Sequence, residues 1–249
     1  MESLNLTDAH GLIDLEATEN DIFLEVIDWL GSCERLKELS FEKFVSAPTI
    51  LSHVCLNNNT RLRKLQVVGY SLTGSQDFHK ALSHQATLES LLLTADAEGA
   101  FRDDIDTLVS SVCQLTKLTS LRIVGTSDYF RTPEIRRIAL NLKGLETLSF
   151  SGYDVTDDVW YAISGLHNLR ALNSYAVTSF SVDGILSYIS TLQPTNQGLN
   201  LVVWSQNGEY DMSDKEKSLI QESIAEKVDG RFDFVLFREA DSDVDSDSD

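Results

Sequence analysis

One six-residue pattern, apolar-x-x-apolar-x-apolar, returns along this chain at nearly constant spacing and limits the possible folds more than any other feature. It reads Leu36/Leu39/Phe41, Leu62/Leu65/Val67, Leu88/Leu91/Leu93, Leu118/Leu121/Ile123, Leu145/Leu148/Phe150 and Leu169/Leu172/Ser174. A looser copy is Leu199/Val202/Trp204, and Met1/Leu4/Leu6 and Phe232/Val235/Phe237 fit at the two ends. The starts from Leu36 to Leu199 span 163 residues in six steps, about 27 residues each. A period of that length marks a stack of similar units, each burying its apolar face against its neighbours.

Within each unit the end of the pattern alternates with period two, as a short strand does, and a stretch at helical spacing follows. The spacing predicts helices over about 19–31, 48–57, 75–84, 102–114, 133–141, 156–164, 182–191 and 214–228. Several carry start signals. Thr132-Pro133 sets an N-cap beside a proline, Ser213 with Glu216 makes a capping box, and Thr156-Asp157-Asp158 loads acids on a helix N-terminus. Alternating strands and helices also suit a doubly wound sheet, but the fixed leucine spacing and short strands favour a curved stack of like units.

These units resemble leucine-rich repeats of the longer, strand-plus-helix kind found in ribonuclease inhibitor and in F-box leucine-rich-repeat proteins. The resemblance covers about 1–238 and implies an α/β horseshoe solenoid of eight to nine irregular repeats, with short parallel strands on the concave face and helices on the convex face. One departure is plain. The family places Asn or Cys three residues after the third apolar position, where its side chain bonds the turn backbone. Here those positions hold Phe44, Tyr70, Asp96, Thr126, Tyr153 and Val177. The turns are therefore expected to be held by packing, as in the irregular repeats of fungal F-box-type proteins.

Charge narrows the partner classes. Twenty Lys+Arg against 39 Asp+Glu give a formal −19, which repels phosphate backbones and anionic lipid, so no nucleic-acid or membrane partner is expected. Residues 239–249 hold six acids and no base; without them 33 acids still face 20 bases. That segment has no apolar content to offset ordering and is expected to be a disordered acidic tail, in which Ser242 and Ser246 each precede an acid by three residues and are candidate phosphorylation sites. Cys33, Cys55 and Cys113 are odd in number and fall in helical segments, which suits buried thiols in a reducing compartment. With no basic region leading into a long apolar run, the protein is expected to be soluble and intracellular, cytoplasmic or nuclear.

In such a stack, the positions between the core residues of each strand point out from the concave face. They read Ser3/Asn5, Glu38/Ser40/Glu42, Lys64/Gln66/Val68, Ser90/Leu92/Thr94, Ser120/Arg122/Val124, Thr147/Ser149/Ser151 and Ala171/Asn173/Tyr175. Four of these twenty are charged, so the negative charge lies elsewhere. The candidate protein-binding residues are Lys64, Gln66, Val68, Leu92, Arg122, Val124 and Tyr175, with Tyr129 and Phe130 in the longer loop from Gly125 to Thr132. The other loop rings, Phe44, Tyr70, Tyr153 and Phe180, are expected mostly to cover the core edge.

Motifs for chemistry are missing. His10, His53, His79, His84 and His167 stand in no His-Glu-x-x-His, and there is no Cys-x-x-Cys, phosphate-cradling loop or Gly-x-Ser-x-Gly. Asp103, Asp104 and Asp106 fit a helix N-terminus better than a metal site. A non-catalytic scaffold without cofactor is expected. The resemblance implies substrate recognition for ubiquitin ligation; an acidic repeat protein that binds histone-like partners is the alternative, and a small-GTPase regulator a remote one. Because Met1 already holds a repeat position, a ligase adaptor is expected only if an F-box lies upstream. The uncapped first strand is expected to be covered by an upstream extension or a partner.

Overall fold

A computed structural model describes residues 1–8, 10–11, 13–57 and 59–237. Each apolar hexad becomes a strand: β1 (Ser3–Thr7), β2 (Glu38–Glu42), β3 (Lys64–Ser71), β4 (Ser90–Asp96), β5 (Ser120–Val124), β6 (Thr147–Thr156), β7 (Ala171–Ser179), β8 (Asn200–Ser205) and β9 (Arg231–Leu236). Between them run α1 (Leu15–Thr18), α2 (Asn20–Gly31), α3 (Ala47–Val54), α4 (Gln76–Leu82), α5 (Arg102–Val112), α6 (Thr132–Asn141), α7 (Asp158–Ile163), α8 (Val182–Thr191) and α9 (Asp214–Val228). The helices fall where the spacing predicts them, with ends shifted by a few residues, and one short helix, α1, precedes them unpredicted.

The strands form one parallel sheet in sequence order, β1 to β9. Every pairing keeps the motif in register: Leu39, Leu65, Leu91, Leu121, Leu148 and Leu172 stand side by side, as do Phe41, Val67, Leu93, Ile123, Phe150 and Ser174. Both rows are buried against the helices. A repeated backbone contact sets the register at the strand starts, where one carbonyl accepts the first two amides of the next unit. Glu2 O takes Lys37 and Glu38, Lys37 O takes Arg63 and Lys64, and the pattern recurs at Arg63, Glu89, Thr119 and Glu146. Strands in a sheet lie about 4.8 Å apart whereas packed helices need about 8–10 Å, so a stack of strand-helix units must bend with its strands inside.

At the C-terminal end the sequence reading is off by one residue. Leu172 pairs with Leu201 and Ser174 with Val203, so Leu201 and Val203 enter the core while Val202 and Trp204 face out. In β9 the shift is three residues: Phe232 and Phe234, rather than Val235 and Phe237, continue the core rows, and Val235 pairs with Trp204. In β8 the cause is a connection one residue shorter. Leu199 is fully buried one step closer to its strand, after Gly198 at φ +75°.

Two kinds of device hold the connections: packing in the turns after the strands, as expected, and side-chain bonds, most of them in the segments that lead into the strands. Some are packed: Phe44 tilts on Phe41 at 5.5 Å, Phe180 on Trp160 at 4.5 Å, and Tyr70 stands edge-on to Phe78 at 5.8 Å. Others are bonded from within the core by residues the motif does not mark. Buried Gln85 donates to Cys55 O (2.8 Å) and Thr60 O (3.1 Å) and accepts from Leu62 N (3.0 Å). Buried Asn196 donates to Leu166 O and Leu169 O, both at 3.0 Å. Asp157, expected to serve a helix dipole, instead ties units together by accepting from the Trp160 indole (3.0 Å) and from the Ser181 amide and hydroxyl.

Two substitutions test these devices. A Cβ on Gly125, which sits at φ +74°, would lie 2.1 Å from the carbonyl oxygen of Ala95, so Gly125→Ala should cost about 2–3 kcal/mol in urea unfolding. Gln85→Leu strands one amide and two carbonyls in the core and should cost about 2–4 kcal/mol. A loss under 0.5 kcal/mol in either, by the ~1 kcal/mol scale of single contacts, would contradict the account.

Candidate protein-binding surface

The sheet's other face is open, and the register arranges its side chains in three rows. The first runs Glu38, Lys64, Ser90, Ser120, Thr147, Ala171, Asn200 and Arg231; the second Ser40, Gln66, Leu92, Arg122, Ser149, Asn173, Val202 and Asp233. The third begins Glu42, Val68, Thr94 and Val124 and ends Ser151, Tyr175, Trp204 and Val235. Their charges balance: Lys64, Arg122 and Arg231 against Glu38, Glu42 and Asp233. A chain of formal charge −19 thus presents a strand face of no net charge.

The seven strand residues expected to bind a partner all stand on this face. Lys64, Gln66, Val68, Leu92, Val124 and Tyr175 are half-buried by their neighbours and Arg122 is exposed. The register brings three of the face's side chains into one cluster. The guanidinium of Arg122 lies 5.7 Å from the centre of the Tyr175 ring, two strands away. It can reach because the intervening strand offers small residues there, Ser149 and Ser151. Tyr175 in turn tilts against Trp204 at 6.1 Å, and Trp204 remains 40% exposed. Asn173 donates to Ser149 Oγ at 2.9 Å, which fixes the floor beside them. Trp204 escaped the sequence reading because the one-residue slip had put it in the core; the alternation Leu201/Val203 was the signal that could have found it.

The loop after β5 divides the remaining two candidates. Tyr129 is 40% exposed at the rim, but Phe130 is fully buried, so its ring is no part of any surface. The reason is local. Phe130 N bonds Ser127 O and Phe130 O accepts the Tyr153 amide, folding the loop back onto the next unit. Tyr153 is exposed at the same rim, with the Arg131 guanidinium 5.6 Å from its ring. Ser242 and Ser246, with the rest of the acidic segment, lie outside the described residues.

Among the described residues, nine parallel strands in chain order, one core row per motif position and a helix between every two strands leave one architecture. The chain folds as a leucine-rich-repeat solenoid. Among solved structures it is similar to an internalin from Listeria monocytogenes, with 16% sequence identity, a TM-score of 0.40, and 78% of this chain covered. The match spans 60% of that internalin chain. No protein-family model matches the sequence, and no curated protein does.

On the helix side of the solenoid Asp104 serves structure. Asp104 accepts from the Phe101 amide (2.9 Å) and from Gln76 Nε2 (3.0 Å), so it closes a helix start and links α4 to α5. Among the described residues no group of three or more His, Cys, Asp or Glu is placed to hold a metal ion, and no helix is long and apolar enough to cross a membrane. The three cysteines are unpaired, and burial pushes the Cys55 thiol up to about 12. His79 is fully buried, 3.1 Å from the Tyr70 hydroxyl, and its Nδ1 has no partner.

Burial pushes His79 down to about 4, against a partial upward pull from Asp104. The unfolded chain, with the histidine near its ordinary 6.5, therefore binds more protons between those values, and the contribution of neutral His79 is lost as pH falls through that window. The stability difference between the protein and His79→Gln should shrink as pH is lowered from 7 to 4.5 in denaturant titrations. A pH-independent difference would refute the burial of a neutral imidazole.

Proposed function

We propose that this solenoid is a non-catalytic protein-binding scaffold that holds its partner on the open strand face, with Arg122, Tyr175 and Trp204 as the anchor. The observation that carries the reading is that cluster: a cation over a phenol that tilts against an indole, part-exposed on an electrically balanced face. Trp, Tyr and Arg dominate binding hot spots: Trp and Tyr bury large area with few rotatable bonds, and Arg presents a planar guanidinium that packs on rings. Tyr129 and Tyr153 extend the contact to one rim, and Val68, Leu92, Val124 and Val202 supply apolar ground between.

The finer reading we favour is capture of a target for ubiquitin ligation, supported by the likeness of the irregular repeats to those of F-box leucine-rich-repeat proteins. Recruitment of the ligase adaptor would need an F-box upstream of the repeats. The alternative, a binder of basic nuclear proteins, draws on the −19 total but not on the open face, whose charges cancel.

Affinity capture from cell extract separates the two. Recovery of the adaptor and cullin, or of a target whose turnover depends on them, supports the first; histones released by moderate salt support the second. For whichever partner is recovered, Trp204→Ala and Tyr175→Ala should each weaken binding at least about tenfold, or 1.4 kcal/mol, with unfolding temperature unchanged. Lys80→Ala, on the helix side, should leave affinity as it was. Equal affinities across the three variants would remove the open face as the binding surface.

A further inference from the structure

β1 is an edge strand: its inner side pairs with β2 and no described strand lies on its outer side. In a parallel ladder, alternate residues point both backbone groups to the same side. Glu2 O accepts from Glu38 N and Asp8 N donates to Glu42 O, so the even-numbered residues bond β2. Ser3, Asn5 and Thr7 therefore turn their N–H and C=O outward. Natural edges are usually guarded by Lys, Glu, Pro or a bulge. Ser3-Leu4-Asn5-Leu6-Thr7 has none of these, whereas the opposite edge, β9, carries Arg231 and Asp233.

The helix layer at this end is unfinished in the same way. On α2, Phe23 and Leu30 are buried in the core. Gly31 faces α3, since its carbonyl accepts from Asn57 Nδ2 at 3.2 Å. At about 100° per residue, Ile22, Val26 and Trp29 form a second stripe on the side turned away from α3. Val26 is half-buried, but Ile22 is 47% and Trp29 46% exposed. A bare strand edge and an apolar helix flank thus lie on one end of the solenoid.

We propose that this end is a self-association surface, in which two copies pair their β1 strands antiparallel about a two-fold axis at Asn5. The register is self-complementary. Asn5 meets the partner's Asn5 and Ser3 meets the partner's Thr7, all residues whose backbone groups point outward. Leu4 then stands opposite the partner's Leu6, so the leucines of both copies stay on the helix side and the polar residues on the open side. A parallel or one-residue-shifted pairing loses one of these matches. Trp29 and Ile22 of the two copies cover each other beneath the joined strands. The strand edge, about 17 Å long, and the helix, about 18 Å, make a modest footprint, which suits a reversible dimer.

Two copies of a chain with formal charge −19 also repel, and salt screens that repulsion over a Debye length of about 8–10 Å at physiological strength. Sedimentation equilibrium of the 249-residue protein should show a monomer–dimer equilibrium that tightens as salt rises from about 0.05 to 0.5 M. Asn5→Pro removes an outward amide without touching the β2 ladder, and Trp29→Glu charges the flank; each should weaken association at least about tenfold at constant unfolding temperature. Amide exchange at Ser3, Asn5 and Thr7 should slow with protein concentration. A monomer throughout the micromolar to millimolar range would overturn the proposal. So would a dimer broken by Trp204→Ala but not by Asn5→Pro, or outward amides protected equally at every concentration, which would mean that another segment of the same chain covers the edge.

Discussion

The structure depends on one constraint, the shared register of nine parallel strands. Because Leu39, Leu65, Leu91, Leu121, Leu148 and Leu172 stand in line, each leucine packs on its counterparts in the units before and after, and no central core is needed. The carbonyl that accepts two amides at the start of each strand from β2 to β7 pins that line, since a slip of one residue would exchange core and open faces along a whole strand. Everything on the open face inherits its position from this contact.

That inheritance explains how residues far apart in sequence form one cluster. Arg122, Tyr175 and Trp204 belong to three units, and the register sets them across strands two apart and adjacent, with serines between to leave room. Among the described residues most of the acidic excess falls on helices and loops, because the three open rows of the sheet balance opposite charges.

The loops show where the repeat pattern stops being informative. Packing was expected to hold the turns, yet Gln85 and Asn196 also reach back to carbonyls of the preceding unit just before its strand, and Asp157 bridges Trp160 and Ser181. None of the three occupies a motif position, so no periodicity marks them. Phe130 and Tyr129 are neighbours in one loop, yet one ring is buried and the other exposed. The difference lies in the backbone bonds of Phe130 to Ser127 and Tyr153, and composition carries no trace of those.

Leucine spacing by itself determined the solenoid, its strands, its helices and seven open-face residues, because a period-two strand inside a fixed repeat leaves each side chain a choice of two faces. It misplaced Trp204, where a connection one residue shorter changes the phase, and Val235, where the core pair lies three residues earlier than the spacing implies; in both places the composition still looks apolar. Only the tertiary structure decided which rings are available, that Arg122 reaches Tyr175 across a strand of small residues, and that Ile22 and Trp29 share an end with an unguarded β1. Those are relations between units, and they depend on how neighbouring backbones pair, information that no single repeat contains.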